Sequence, residues 1–405
     1  MNEFIIAILV TATAFLSSAF IFPIALRFAI QHDIVDSPNV RKLQRRPIPV
    51  FGGVAVYVGV LAGIIVLNLF LSNMFLFWGA VAMFFMLIIG VWDDRKDVSP
   101  FLRLFLEIFI VYSFIFLTNV YINDFHGLWG IHEIKPALGI PLSIFVGVGI
   151  INAINLMDGV DGYSSGYGIM ACGWFALAFF NVGNFVLECM MLLVIGALLP
   201  FFMHNVFGAK SKMFIGDGGT LMLGTLLTVM VFYSMWNGGK MCALERKGMS
   251  VIAFLLAIGC VPIFDTLRVM ISRMLRGSSP FHPDKTHLHH LFVDLGFSHL
   301  GAALFILFAN FMVVVMFLLI CQVSTSLETQ TYAVLSMGVL ITTVFYKFMR
   351  YHQNAGPVDE DGYPQGSKIW HLMCKVGKWT HREDRKYWRV LKHLMDGPMM
   401  GKKMT

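Results

Sequence analysis

Apolar runs of about 20 residues recur along the chain, separated by short polar stretches. A helix of that length spans the hydrocarbon core of a bilayer. Eleven such segments can be read, at about 4–29, 50–71, 75–91, 101–119, 140–156, 163–180, 184–203, 218–236, 250–271, 300–321 and 328–349. Each is expected to be helical, because a segment in lipid must satisfy its own backbone N–H and C=O groups. The run at 140–156 is short and reads as interrupted, as expected where a helix end lines a site rather than lipid. The pattern predicts an all-α, polytopic membrane bundle over residues 1–350 and a polar tail over 351–405, with no internal repeats. From Ser367 to Leu394 the tail mixes Trp370, Trp379, Tyr387 and Trp388 with Lys, Arg and His. It reads as an amphipathic helix on an anionic membrane surface, or as a disordered basic tail.

Composition agrees with the pattern. Of 405 residues 57% are hydrophobic and 13% charged, against about 25% charged in soluble domains. The six cysteines form no C-x-x-C pair, and most sit in apolar segments. Neither disulfides nor a thiolate metal site is expected. The first segment has no basic n-region and reads as a retained helix.

The net charge of +6 matters less than its placement. Arg41, Lys42, Arg45, Arg46, Arg95, Lys96, Lys210, Lys212, Arg273, Arg276 and Lys285 occupy one set of loops, and the tail is basic as well. The other loops hold only Lys135, Lys240, Arg246 and Lys247. The positive-inside rule puts the first set and the C-terminus in the cytoplasm, and the N-terminus outside.

Four polar clusters then fall on the cytoplasmic side. Asp93 and Asp94, with Asp97, end the third segment. Asn152, Asn155, Asp158 and Asp161 recur every third residue at the end of the fifth, so helical neighbours among them would stand side by side. Gly159 and Gly162 would let the backbone approach a ligand. Phe214-Ile215-Gly216-Asp217-Gly218-Gly219 precedes the eighth, and His287, His289 and His290 lie between the ninth and tenth.

Taken singly, each cluster has a plain reading: an acidic turn, a capped helix end, a glycine turn or a solvated loop. Together they offer more. Paired carboxylates push one pKa upward and make a general base. Asp217 and Asn155 are hard oxygen donors suited to Mg²⁺ beside phosphate oxygens. The histidines, near Lys285, Arg273 and Arg276, suit a polyanion better than zinc. Asp265 and Arg268, one turn apart, read as an intramembrane ion pair. Such a set suits phosphoryl transfer between a cytoplasmic and a lipid substrate.

The ordered set Asp93-Asp94-x-x-Asp97, Asn152-x-x-Asn155-x-x-Asp158-Gly-x-Asp161-Gly, Phe214-x-Gly-Asp217 and His287-x-His289-His290 resembles the polyprenyl-phosphate N-acetylhexosamine-1-phosphate transferases. Val35-Asp36-x-Pro38-Asn39-x-Arg41-Lys42, Ile48-Pro49-x-x-Gly52-Gly53 and Ser279-Pro280-Phe281-x-Pro283-Asp284 add to the likeness, which covers about residues 1–350. It looks closest to the bacterial enzymes that use UDP-N-acetylglucosamine and undecaprenyl phosphate. The resemblance implies transfer of the sugar-1-phosphate to the lipid phosphate, with UMP released, at the bacterial inner membrane. It implies Mg²⁺ (or Mn²⁺) on Asp217 and Asn155, and catalytic roles for Asp93, Asp94, Asp158 and Asp161. It implies substrate contacts from Asn152, Phe214, Arg273, His287, His289, His290 and Arg46. Membrane lipid is the surrounding partner, a homodimer is left open, and nothing points to nucleic acid. Gly218, Thr220 and Tyr163 stand where the family often has Ala, Ser and Leu. The His-Leu-His-His-Leu run departs from the three consecutive histidines of the muramoyl-pentapeptide branch, the nearest alternative. A secondary transporter, the alternative of another class, would place charges near the midplane.

Overall fold

The computed structural model describes residues 2–36, 47–280, 284–356, 366–381, 391–392 and 395–396. Among the described residues the regular structure is helical apart from one small hairpin. In order come α1 (Glu3–Gln31), β1 (Val35–Asp36), β2 (Ile48–Pro49), α2 (Gly52–Phe70), α3 (Met74–Lys96), α4 (Pro100–Thr118), α5 (Pro136–Met157) and α6 (Tyr163–Asn181). They are followed by α7 (Phe185–Phe207), α8 (Gly216–Ser234), the short α9 (Cys242–Glu245), α10 (Val251–Ile258), α11 (Cys260–Leu275) and α12 (Leu288–Asp294). Last come α13 (His299–Val323), α14 (Leu327–Val339), α15 (Phe345–Asn354) and the tail helix α16 (Lys368–Thr380). A π-helical turn, Leu340–Val344, joins α14 to α15.

All eleven segments read from the hydrophobic pattern are helical, but they are not eleven equal spans. Among the described residues nine helices are long and apolar enough to cross a membrane, and the pair α10–α11 would make a tenth. Helix α6 is not among them; Tyr163, Ser164, Ser165, Gly166 and Tyr167 make its first turns too polar. The ninth segment is bent by 74° between α10 and α11, at Gly259. Asn310 of α13 fills the gap in the backbone ladder: its Oδ1 accepts from Val261 N at 2.8 Å and its Nδ2 donates to Ile258 O at 2.9 Å. Tyr167 also donates to Ile258 O. A break is tolerated at membrane depth when neighbours re-pair the freed groups in this way.

The fifth segment departs from expectation. Helix α5 starts at Pro136 and runs 22 residues to Met157, carrying Pro141 without interruption. Only Asn152 and Asn155 lie on it; Asp158 caps its end and Asp161 sits in the following turn.

Helix α8 is the central post, and glycines let its neighbours close on it. A Cβ on Gly90 of α3 would lie 2.3 Å from Gly218 N, and one on Gly53 of α2 would lie 2.5 Å from the Gly219 Cα. Backbone at that spacing leaves no room for a side chain. The ladder also runs through this corner: Phe214 N donates to Pro49 O, and Gly52 N and Gly53 N donate to Phe214 O and Ile215 O. The start of α8 is thereby tied to the start of α2 and to the β1–β2 hairpin. The ends of α3, α5, α7 and α11 and the starts of α4, α8 and α13 meet at this same end of the bundle.

Candidate active site

At that end a cavity of about 930 Å³ opens, lined by residues from all four polar clusters. Asp93, Asp94, Asn152, Asn155, Asp158, Asp161, Phe214, Asp217, Arg273, His287, His289 and His290 all border it. Arg46 lies outside the described residues. The clusters are therefore brought together, although more than 190 residues separate the first from the last in sequence.

The centre is a residue that the sequence reading passed over. Arg103 enters from the first turn of α4 and spreads its guanidinium among five partners. Nη1 donates to Asp93 Oδ2 at 2.8 Å and Asp217 Oδ2 at 3.4 Å; Nη2 donates to Asn152 Oδ1 and Asn155 Oδ1, both at 3.1 Å. Nε donates to Glu107 Oε1 at 3.2 Å, one turn along α4. The Glu107 carboxylate is fully buried and also accepts from Asn152 Nδ2. The signal was present: an arginine and a glutamate four apart inside an apolar segment are costly unless used.

Asp94 and Asp217 are linked through backbone. Asp94 Oδ1 accepts from Asp217 N at 3.0 Å and Oδ2 from Gly218 N at 3.3 Å. These are orphan donors at the start of α8, where the helix dipole also favours an anion. Asp94 thus caps α8 from another helix and fixes Asp217. Asn155 Nδ2 donates to Asp217 Oδ1 at 2.8 Å and to Thr220 Oγ1 at 2.9 Å. Asp93, Asp217 and Asn155 so turn oxygens toward one cationic point. Two or three hard protein oxygens, with room for substrate oxygens, fit Mg²⁺, which takes few protein ligands. Among the described residues no group of three or more His, Cys, Asp or Glu forms a metal cage.

On the far wall, Asp161 Oδ2 lies 2.6 Å from Lys212 Nζ and 3.1 Å from His299 Nδ1. Burial would raise this carboxyl, but His299 and Lys212 outweigh it and hold the pKa below the ordinary value. Asp158 goes the other way. Burial lifts it, the charges of Asp217 and Asp161 add, and the Ser164 hydroxyl offsets only part, leaving it at about 7. Lys212 Nζ also stands 5.9 Å over the Phe214 ring. Gly162 N donates to Asn205 Oδ1 at 2.7 Å, so this glycine serves a turn of positive φ rather than a ligand.

The histidine cluster rests on Asp265. Its Oδ1 takes Arg268 Nη2 at 2.6 Å, while Oδ2 takes His287 Nδ1 at 3.0 Å and Leu288 N at 3.1 Å. The ion pair expected within the ninth segment thus also positions the histidines. His289 packs on Gly159, where a Cβ would lie 2.1 Å from its Nε2. Burial pushes the His290 imidazole down to about 4, helped by His287, Lys285 and Arg350, and pushes His289 well below its usual value. Both rings are uncharged at neutral pH, and His289 Nδ1 is buried with no hydrogen-bond partner. Arg273 is committed within the protein: it pairs with Asp284 (Nη2 to Oδ1 2.8 Å) and donates to Pro280 O at 2.7 Å. It ties Pro280 and Asp284 to α11.

Residues 74–235, from α3 through α8, match the model of glycosyl transferase family 4. That stretch contains Asp93, Asp94, Arg103, the Asn152–Asp161 series and Asp217. Over that stretch the chain is similar to glycosyl transferase family 4. Relatives extend the likeness over most of the bundle. An undecaprenyl-phosphate alpha-N-acetylglucosaminyl 1-phosphate transferase of Yersinia pestis is 27% identical over 285 residues, 70% of this chain and 75% of its own. A probable undecaprenyl-phosphate N-acetylglucosaminyl 1-phosphate transferase of Bacillus subtilis is 29% identical over 315 residues, 77% and 84% of the two chains. One from Salmonella typhi is 28% identical over 298 residues, 72% and 78%. The stretch that matches the family model supplies the carboxylate and amide half of the cavity. The histidine half, from α11 and α12, lies outside the match to the family model.

Proposed function

We propose that the chain transfers N-acetylglucosamine-1-phosphate from UDP-N-acetylglucosamine to undecaprenyl phosphate, at the cytoplasmic face of a bacterial membrane. The observation that carries this reading is the convergence of Asp93, Asn155, Asp217 and His290 on one cavity. The sugar and lipid are those in the names of the relatives. The cytoplasmic orientation rests on the basic loops at the site end. Residues 1–350 form the catalytic membrane domain.

In this reading Asp217 and Asn155, with Asp93 beside them, hold Mg²⁺. When bound, the metal neutralises charge on the sugar-nucleotide pyrophosphate. Arg103, whose guanidinium competes with the metal for Asp217 and Asn155, supplies a positive charge beside it, and Asp94 keeps Asp217 aimed by capping α8. Asn152 sets the Arg103–Glu107 pair. Asp158, near neutrality, takes up the proton of the incoming lipid phosphate, whereas Asp161 stays ionised and orders Lys212. An oxygen of the lipid phosphate attacks the β-phosphorus, the bond from that phosphorus to the bridging oxygen breaks, and UMP leaves with the oxygen. Lys212 and Phe214 face the nucleotide, Lys212 by charge and Phe214 by stacking. His287, His289 and His290 donate hydrogen bonds to the pyrophosphate and sugar, Arg273 ties Asp284 to α11, and Arg46 adds a further substrate contact.

Purified protein in detergent is expected to release UMP from UDP-N-acetylglucosamine only when both Mg²⁺ and a polyprenyl phosphate are present. A panel of UDP-sugars identifies the preferred donor. No UMP from any of them under those conditions would refute the reading.

A further inference from the structure

The tail has no part in the mechanism above, yet it touches the body at two informative places. Helix α16 ends at Thr380, whose Oγ1 accepts from Ser298 N at 2.9 Å. Ser298 Oγ in turn donates to Thr380 O at 3.4 Å. The contact is close, for a Cβ on Gly377 would lie 2.3 Å from Leu295 O. Trp370 is buried against the body while Ile369, Leu372 and Val376 are exposed. Further along, Asp396 inserts its carboxylate into the loop between α7 and α8. Oδ1 accepts from Lys210 N at 2.9 Å, Ser211 N at 3.0 Å and Ser211 Oγ at 3.1 Å, and it shares Ala209 N with Oδ2 at 3.1 and 3.2 Å. Successive N–H groups converging on one oxygen make an anion nest. Burial would raise the carboxyl, but these donors outweigh it and keep it below its usual value.

The two grips are adjacent in sequence to the two nitrogen-bearing side chains that meet Asp161. Ser298 precedes His299, and Ser211 precedes Lys212. His299 Nδ1 and Lys212 Nζ both meet the same oxygen, Asp161 Oδ2. Residues so placed share backbone, so a shift of Ser211 or Ser298 moves its neighbour by a comparable amount. A lysine is held in one rotamer only if its own backbone is held, since its free side chain has large conformational entropy.

We propose that the C-terminal segment is a two-point clamp, in which Asp396 and Thr380 are positioning residues that set Lys212 and His299 on Asp161. The tail thereby shapes the sugar-nucleotide side of the cavity without touching substrate. The kinetic part of this inference rests on the function proposed above; the structural part does not.

The test uses the full chain with Asp396→Ala, Asp396→Asn and Thr380→Val. Asp396→Ala is expected to raise KM for the UDP-sugar by about three- to tenfold, the scale of one ordinary hydrogen bond, with kcat within about twofold. Asp396→Asn keeps an oxygen in the nest and recovers most of the loss. On a Lys212→Ala background Asp396→Ala has no further effect, because its action passes through that lysine. Trypsin provides a readout that needs no turnover. In Asp396→Ala new N-termini at Ser211 and Met213 appear faster than in the parent, and in Thr380→Val they do not. If the parent releases no UMP, the proposed function falls and trypsin alone decides the clamp. Unchanged cleavage in Asp396→Ala, or an undiminished Asp396→Ala effect without Lys212, would overturn the proposal.

Discussion

Arg103 points its Nη1 at Asp217 Oδ2 across 3.4 Å, from the first turn of α4 to the first turn of α8. The same nitrogen lies 2.8 Å from Asp93 Oδ2. One guanidinium therefore balances carboxylates from two helices on the cavity wall, with Arg103 and Asp93 themselves mostly covered by protein. Attraction between charges is strongest in such a place, and so is the penalty for leaving one alone.

Removing this cation should cost more than a surface charge would. Arg103→Ala is expected to lower kcat/KM by about 10²- to 10³-fold. Arg103→Lys retains part of the activity, because a point charge cannot reproduce a fork of five donors. Without the guanidinium competing for Asp217 and Asn155, Mg²⁺ should bind more tightly. A thermal-shift titration with Mg²⁺ measures that directly. Wild-type turnover in Arg103→Ala would remove it from the working site.

The paired carboxylates Asp158 and Asp161 give a pH dependence. Asp158 is raised to about 7 by burial and by its acidic neighbours, so it is protonated below that pH and a carboxylate above it. As a base it works only when ionised, so kcat/KM should climb as pH rises through about 7. Asp161 is held low and stays ionised over this range. Folding runs the opposite way: a raised carboxyl favours the folded chain at low pH and loses that contribution as pH rises through the folded value. Asp158→Asn should slow the reaction and flatten the acid limb, whereas Asp161→Asn slows it with the limb in place. A limb unchanged in Asp158→Asn would assign it to another group.

Much of this was legible beforehand, and the omissions share a cause. Long apolar runs report helices because lipid enforces internal hydrogen bonding, so all eleven helical segments could be read. The 74° bend could not, since it depends on Asn310, a single amide supplied from another helix about 50 residues away. The motifs that line the cavity were visible as polar clusters at segment ends. Arg103 and Glu107 were hidden inside an apolar run, where counting hydrophobicity averages them away. The caps are likewise tertiary: Asp94 serves the start of α8, and nothing local to Asp94 announces it.

The bend itself makes a stability prediction. Asn310 is buried and serves Val261 N, Ala257 O and Ile258 O together. Asn310→Leu keeps the volume and orphans groups that neither lipid nor water can reach. The expected loss is about 1–3 kcal/mol, read as a lower thermal midpoint in detergent. Because α11 carries Asp265 and the histidine loop leans on it, activity should fail at a lower temperature in step. A midpoint equal to that of the parent would mean that the break is satisfied in some other way.

Gly159 offers the closest test of the histidine wall. An added Cβ would lie 2.1 Å from His289 Nε2 and 2.6 Å from two of the ring carbons. The ring has little freedom to retreat: it is buried, with His290 at 4.2 Å and His287 stacked at 5.8 Å between centroids. Gly159→Ala should therefore displace His289 by an ångström or more. A shift of about 1 Å in a site of this kind costs on the order of a hundredfold in rate. The thermal midpoint should fall as well, since overpacking costs about 1–3 kcal/mol. His289→Ala alone should be slow but well folded. Combining the two removes the clash, so the double variant should regain the stability that Gly159→Ala lost, a coupling that a double-mutant cycle measures. If the two losses of stability simply add, the ring does not rest on Gly159, and the position of His289 has to be redrawn.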